Sequence, residues 1–484
     1  MKKIPKKVKD TINIVTNAYG KSPDLNTRII KINNINVGIL FFESSSQTST
    51  ISDFIIKSID FTSQNVFENL FNQIKNYMFN CQVLTIKNLD EFYYYLSSGF
   101  TILTVDENEE AIVMETRAQL DRGVTESTSE PVLRGSKDSF TESHSKNLGL
   151  IRKRIKDPNL WFEEVKVGRR TETRISIGFI NGIANKETVK QIKEKLQKID
   201  IDGIIESGNL RDYLTNKPST FPQFLSTERP DIVCNSMLNG KIAILVENTP
   251  FVLIIPTVFI DFLHTSEDQT QKWINITFTR ILKVFAFLIT LFTPAIYVAI
   301  TTIDQNVIPD KLLISLAIQR EGVPFPTAFE IILLGIIFEI IREGDVRSPS
   351  NMSAAMSIVG ALVLGQAAVD AGIVSPITVI ITAITSICSM IFTDIDFTNG
   401  IRAWRFIFII AASFLGLTGI LAASLILLIK LASTENFGTS YLAPLAPFNL
   451  EDQKDSILRF PTTKILKRPS YTTKKNKTKQ RRQK

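Results

Sequence analysis

The pattern of apolar and polar positions changes partway along this chain. Up to residue 265, short apolar runs alternate with amphipathic stretches; from Ile281 to Leu431 most residues are apolar. In the first part, extended apolar runs open two similar units, "NVGILFFES" (Asn36–Ser44) and "TRISIGFING" (Thr173–Gly182). A helical stretch follows each, "QNVFENLFNQIKNYM" or "NKETVKQIKEKLQKI". In the latter, Val189, Ile192, Leu196 and Ile199 recur at helical spacing, and Asn185 is placed to cap the helix. Each unit continues with a strand ("QVLTIK" or "IDGIIES"), a helix ending at a glycine, and two strands joined by a tight turn. The clearest internal match aligns "GFTILTVDENEEAIVMET" from Gly99 with "GKIAILVENTPFVLIIPT" from Gly240, and Asp-Glu-Asn and Glu-Asn-Thr-Pro have the chemistry of hairpin turns. The pattern predicts a duplication: two α/β soluble subdomains, 1–121 and 140–268, each a small mixed sheet with helices on it, joined by a polar linker at 122–139. A further hairpin is expected after Pro158, turning at Gly168, Arg169 and Arg170. That basic turn either binds an anion or a partner, or is simply solvated.

The second part predicts an α-helical membrane domain, 269–431. A helix needs about 20 apolar residues to cross the hydrocarbon. Four stretches satisfy this: 281–302, 353–372, 374–392 and 406–429. Lys283 lies near the start of the first, where it could snorkel, and Trp273 precedes it as an interface anchor. The span 353–372 is small-sided, with Ser353, Ser357, Ala361 and Gly365 on one stripe and Gly360, Leu364, Ala368 and Gly372 on another. Such stripes allow close helix packing. Gln366 and Asp370, one turn apart, add a polar edge. Spans 353–372 and 374–392 form an expected helical hairpin turning at Ser375-Pro376. Arg402, Trp404 and Arg405 mark one interface of the last span and Lys430 the other, and "DIDFTNG" before it is too polar for lipid.

The segment 312–342 is irregular. It carries Arg320, Glu321, Glu330, Glu339, Arg342 and Glu343, and Gly322, Pro324 and Pro326 break it. Glu330 and Glu339 enclose eight residues, about 12 Å of helix. The segment is read as two half-helices with their charges sheltered by protein or water, or else as an amphipathic surface helix with charges among headgroups.

Charge sets the orientation. The chain has 484 residues and a net charge of +7, and its last 21 residues contain no acid. The positive-inside rule places this basic tail, 432–484, on the cytoplasmic side, next to anionic lipid rather than nucleic acid. No apolar signal region follows "MKKIPKKVKD", so the first 265 residues are expected on the same side. The crossings are then even in number, four with 312–342 re-entrant or six with it crossing twice. Cys81, Cys234 and Cys388 lie far apart, and His144 and His264 have no spacing partner, so neither a disulfide framework nor a metal or cofactor site is expected. No Walker loop, GxSxG, HExxH or paired-cysteine motif suggests an enzyme.

Several separated motifs, in one order, resemble the A subunits of spore germinant receptors, the GerA family. They are "FTES" (Phe140–Ser143), "LIRKRIKDPNL" (Leu150–Leu160), "VGRRT", "IDIDGIIESG" (Ile199–Gly208), "FPQFLSTERPD" (Phe221–Asp231), "TPF" (Thr249–Phe251), "PAIYVAITT", "REGVPFP", "FEIIREG", "SIVGALVLGQAAVDAG" with "VSP", "FGTSYLAPLAPF" and "DQKDSILRFP". The chain departs from the family at Ser139, where glycine is usual, and at Glu247-Asn248, where Asp-Gly is usual. Asn also tolerates a positive φ, so the second departure is expected to keep the hairpin.

The resemblance implies a sensor in the inner membrane of the dormant spore, built with a transporter-like B subunit and a lipoprotein C subunit. It implies a homo-oligomer, with five copies expected, around a cation pore opened by nutrients. On that reading Ser357, Ala361, Gly365 and Gln366 line the pore or an oligomer seam, and Asp370 draws cations at a mouth. Glu339 and Glu343 either pair with a basic group or join that mouth, and Arg320-Glu321 lock the break. A non-conducting scaffold and a secondary-transporter component are the rival readings.

Overall fold

The computed structural model describes residues 2–32, 34–52, 70–76, 83–118, 130, 132, 134–215, 217–347, 365–473 and 476–480. Two α/β lobes come first. Lobe 1 contains α1 (Val8–Ala18), β1 (Leu25–Ile32), β2 (Ile35–Phe42), α2 (Leu70–Asn76), β3 (Val83–Ile86), α3 (Leu89–Ser97), β4 (Thr101–Val105) and β5 (Ala111–Met114). Lobe 2 contains α4 (His144–Arg154), β6 (Leu160–Val167), β7 (Thr173–Ile180), α5 (Lys186–Gln197), α6 (Ser207–Leu214), β8 (Leu225–Thr227), α7 (Pro230–Leu238), β9 (Ile242–Val246) and β10 (Val252–Ile255). The sheets share one topology, β1-β2-β4-β5-β3 and β6-β7-β9-β10-β8. Asn185 accepts a hydrogen bond from the Glu187 amide and caps α5. Asn248 adopts φ 66° at the turn between β9 and β10, the left-handed conformation that turn requires.

The sheets are not mixed. Every described strand pair is antiparallel. The strand–helix–strand alternation does place β3 parallel to β4, but β5 inserts between them and pairs with both. Strand β1 precedes the first apolar run and escaped the pattern because it is an edge strand, half exposed along its length.

The lobes are pinned together by Arg152. Its guanidinium donates to both oxygens of Asp24, at 2.7 and 2.8 Å, and to Ser22 Oγ at 2.9 Å. It lies 3.9 Å over the Phe42 ring. Beside it the Trp161 indole donates to the Ala18 carbonyl at 2.9 Å and lies flat on Gly20, where φ is 63° and a Cβ would overlap the ring.

A bundle of apolar helices follows. Helix α8 (Trp273–Thr302) has 30 residues, about 45 Å. It leaves lobe 2, and its far end meets the start of α10 (Thr327–Arg347) through Thr301 and Thr327. Helix α9 (Asp310–Gln319) lies before α10, mostly exposed. The described part of α11 is 365–370; α12 is Pro376–Ser389 and α13 is Ile395–Ser433. Helix α12 starts beside Glu330 and returns toward lobe 2, where Phe392 meets Phe397.

The stretch 406–429, expected as one span, belongs to a chain that reverses within α13. Gly416 has φ 61° and ψ −141°, which is not helical. The Thr220 carbonyl of lobe 2 lies against Gly400, and the Thr220 hydroxyl accepts Lys430 Nζ at 3.0 Å. Thirty residues of straight helix would hold those two positions about 45 Å apart. The arms before and after Gly416 are therefore antiparallel, and both open ends of the hairpin return to lobe 2. The turn is fixed from outside: Asp304 Oδ2 accepts the Leu417 amide at 2.7 Å and occupies the space a Cβ on Gly416 would need.

Phe397 anchors the bundle to lobe 2. It stacks on Phe262 with centroids 5.0 Å apart and touches Phe221, Phe259 and Phe287. The polar "DIDFTNG" thus begins a helix at the lobe surface, where Asp396 pairs with Arg211. Much of the tail is also docked on lobe 2. Phe437 joins its core, Asn436 donates to the Gln223 carbonyl, and Lys479 reaches Asn239 Oδ1 at 2.8 Å.

Candidate functional site: charges in the bundle and at its junction with lobe 2

The break expected at Gly322, Pro324 and Pro326 separates α9 from α10, and Gly322 has φ 90°. Glu330, one turn into α10, is wholly buried. Its Oε2 accepts the Ser375 amide at 2.8 Å and Thr378 Oγ1 at 3.1 Å; its Oε1 accepts Arg320 Nη2 at 3.4 Å. A carboxylate on the first amides of α12 satisfies donors the helix cannot satisfy itself and complements its dipole. Arg320 therefore ties the break to α10. Glu321 is exposed at the break.

Glu339 lies about two and a half turns further along α10. Its Oε2 accepts Arg402 Nη1 at 2.7 Å and its Oε1 accepts Arg405 Nη2 at 3.2 Å, both from the first arm of α13. Arg342 approaches the same carboxylate at 3.3 Å. The sequence treated Arg402 and Arg405 only as interface markers. Their spacing of three residues, matched by Glu339 and Arg342, puts each pair on one helix face and was the available signal. Glu343 borders the same cluster.

The proposed seam is only partly described. Ser357 and Ala361 lie outside the described residues. Gly365 packs toward Val379 of α12, with room for no more than van der Waals contact. Gln366 donates to Asp370 Oδ1 at 2.9 Å, and both side chains are exposed on the bundle surface. The structure thus separates the polar groups: Glu330 and Glu339 are paired within the subunit, and Gln366 and Asp370 face out.

A second charged network joins lobe, bundle and tail. Arg280, 2% exposed, donates to Asp268 Oδ2 at 3.0 and 2.6 Å, to Asp455 Oδ1 at 3.2 Å and to the Ser456 carbonyl at 2.6 Å. His264 Nε2 bonds the same carbonyl at 3.1 Å. Lys283 does not snorkel; it is buried and donates to the Leu263 carbonyl at 3.0 Å, because lobe 2 covers that part of α8. A polar cavity of about 330 Å³ lies among these groups and the tail. The basic turn is self-neutralised: Arg169 pairs with Asp200 and Asp202, and Arg170 with Asp202. Thr171 packs on Gly203, where a Cβ would overlap it, so "VGRRT" and "IDIDG" recognise each other.

A profile described as "Bacillus/Clostridium GerA spore germination protein" matches residues 13–471, both lobes, the bundle and most of the tail. The chain belongs to the GerA family. Spore germination protein KA of Bacillus subtilis (strain 168) is 38% identical over 468 residues, 95% of this chain and 86% of that protein. YfkQ, a membrane protein of the same organism, is 35% identical over 379 residues, 78% of this chain and 74% of that protein. The crystal structure of the N-terminal domain of the A subunit of the Bacillus megaterium spore germinant receptor GerK3 is 30% identical, with a TM-score of 0.43, over 53% of this chain and 97% of that one. In this GerA family member the quoted motifs supply the lobe pin (Arg152), the paired turn (Arg169, Asp202) and the helix break (Arg320).

Proposed function

We propose that this chain is the A subunit of a nutrient-sensing spore germinant receptor, and that copies of it assemble in the inner spore membrane around a ligand-gated cation pore. Family membership supports the germination role. Helix Trp273–Thr302 is long and apolar enough to cross a membrane, the apolar stretch Ile395–Ser433 folds at Gly416 into two arms of matching character, and Phe278, Phe285, Phe414 and Leu421 are exposed along them as lipid-facing residues would be. Helices α8, α10 and α12, the two arms of α13 and the span expected at 353–372 then give six passes, with lobes and tail together on the cytoplasmic side. The B and C subunits complete the receptor.

The observation that carries the pore is the exposed Gln366–Asp370 pair. The amide and carboxylate bond each other, but the carboxylate faces outward with no cation paired to it among the described residues; hydrocarbon does not tolerate such a charge, so that face of α11 meets water or another copy. Glu330 and Glu339 are already satisfied within the subunit and serve its packing. Rings of carboxylates select cations, which suits Asp370 at a mouth.

The test is ion release from spores. Gln366→Leu and Asp370→Asn receptors, present at normal levels by immunoblot, should release potassium and sodium several-fold more slowly after nutrient addition. Unchanged release from both would assign the pore elsewhere and leave this chain a non-conducting scaffold.

A further inference from the structure

Between α10 and the first arm of α13 the cluster around Glu339 opens into a recess bordered by Ile336, Ile340, Arg342, Glu343, Arg402 and Phe406. One carboxylate, Glu339, serves three guanidinium groups, those of Arg342, Arg402 and Arg405. Among the described side chains at the recess, three guanidinium groups meet two carboxylates, those of Glu339 and Glu343. The pairing leaves donors over: Arg402 Nε and Nη2 and Arg342 Nε are buried with no acceptor among the described residues. Such donors mark a cluster short of acceptors, and Arg342, 30% exposed, is the guanidinium group that a ligand in the recess reaches first.

The recess has a definite level on the bundle. Gly400, just before Arg402, still touches Thr220 and Phe221 of lobe 2. Just beyond, Lys430 Nζ sits 5.9 Å from the Trp404 ring, a pairing suited to a membrane interface. Residues 402–406 therefore lie where the hairpin leaves the lobe. Beside the guanidinium groups, Ile336 and Ile340 are 47% and 66% exposed. The recess thus presents guanidinium groups at headgroup level with a bare apolar wall beside them.

We propose that this recess binds the headgroup of an anionic phospholipid from the leaflet facing the lobes, with its acyl chains along Ile336 and Ile340. A phosphodiester offers acceptors in the geometry that guanidinium forks match. A zwitterionic lipid adds a cation that the extra guanidinium charge opposes. Free phosphate has nothing to lay on the apolar wall. A basic pocket between helices on the cytoplasmic side is a recognised headgroup site. The inference rests on the membrane reading above and adds a specific ligand to it.

The full chain should be reconstituted into phosphatidylcholine vesicles with and without phosphatidylglycerol, floated on a density gradient, and then extracted in an uncharged detergent for native mass spectrometry with either lipid. The expected result is flotation with both vesicles and retained phosphatidylglycerol, but not phosphatidylcholine, on the wild type. Arg342→Gln should weaken that retention roughly fivefold, the equivalent of one basic group near an anionic surface, and Arg342→Lys should restore most of it. Arg342 is the variant of choice because Glu339 keeps Arg402 and Arg405, so the bundle stays paired. Equal retention of both lipids, an unchanged Arg342→Gln, or displacement of phosphatidylglycerol by millimolar inorganic phosphate would overturn the headgroup assignment alone. No flotation with either vesicle would overturn the membrane reading and this inference with it.

Discussion

Replacing Arg152 by methionine should separate the two lobes. The Arg152 and Asp24 side chains are 1% and 5% exposed. Ser22 and Ser44 also donate to Asp24, at 2.8 and 2.7 Å, so the carboxylate is held in place from several sides. Methionine fills the space between Phe42 and Phe162 but leaves Asp24 buried without a counter-ion. Breaking a buried pair this way costs about 3–5 kcal/mol, a third or more of the stability of a typical domain. The double variant Arg152→Met with Asp24→Leu removes both desolvation penalties and should recover most of the loss. The assay is urea titration of the full chain in mild detergent, with Trp273 and Trp404 changed to Phe. Trp161, bonded across the same interface, then reports its opening. A single variant within about 1 kcal/mol of wild type, or a double variant as unstable as the single, would refute the reasoning.

Four further outcomes follow from the structure. Burial, with Arg174 adding to it, lowers the His144 pKa from 6.5 to about 4, so the unfolded chain takes up a proton first as pH falls. The lobes should lose up to about 3 kcal/mol between pH 6.5 and 4, and His144→Gln should flatten that slope in pH-dependent denaturation. Burial raises the Asp24 pKa, but the charge and hydrogen bonds of Arg152 outweigh it and the net shift is downward, so a second loss is expected below the ordinary carboxylate range. Gly416→Ala forces a side chain onto a glycine-only conformation and against Asp304. It should destabilise the bundle by about 1–3 kcal/mol, read as a lower melting temperature in detergent, and Asp304→Ala should not rescue the backbone part. Glu330→Leu strands the Ser375 amide and Thr378. It should cost about 1–3 kcal/mol by the same melt, with Glu330→Gln milder.

The lobes were legible in the sequence to the extent that local pattern decides them. The duplicated order of elements, the Asn185 cap and the break at 320–326 all depend on residues a few positions apart. Antiparallel pairing did not show, because alternation of strands and helices says which strands run parallel but not which strand lies between them. Reversal at Gly416 did not show either. Glycine is common in straight membrane helices, and "FIFIIAASFLGLTGILAASLILLI" has the length of one span. The contact that fixes the turn comes from Asp304, 113 residues away. For the same reason the sequence marked Glu330 and Glu339 as needing shelter but could not name their partners; Ser375, Arg402 and Arg405 lie 45, 63 and 66 residues on. The docked tail followed the same rule. Its lysines and arginines read as free charge, although Lys479 and Arg468 end on the backbone and side chains at residues 238 and 239.

The pore is the claim on which the functional account stands, and single-channel recording tests it most directly. The receptor containing this chain would be reconstituted into a planar bilayer under a potassium gradient and exposed to nutrient. The account predicts discrete openings with a cation-selective reversal potential, and a shift of that potential toward zero when Asp370 is changed to Asn. Nutrient-dependent spores whose reconstituted receptor gives no discrete openings, or openings whose selectivity ignores Asp370 and Gln366 alike, would contradict it.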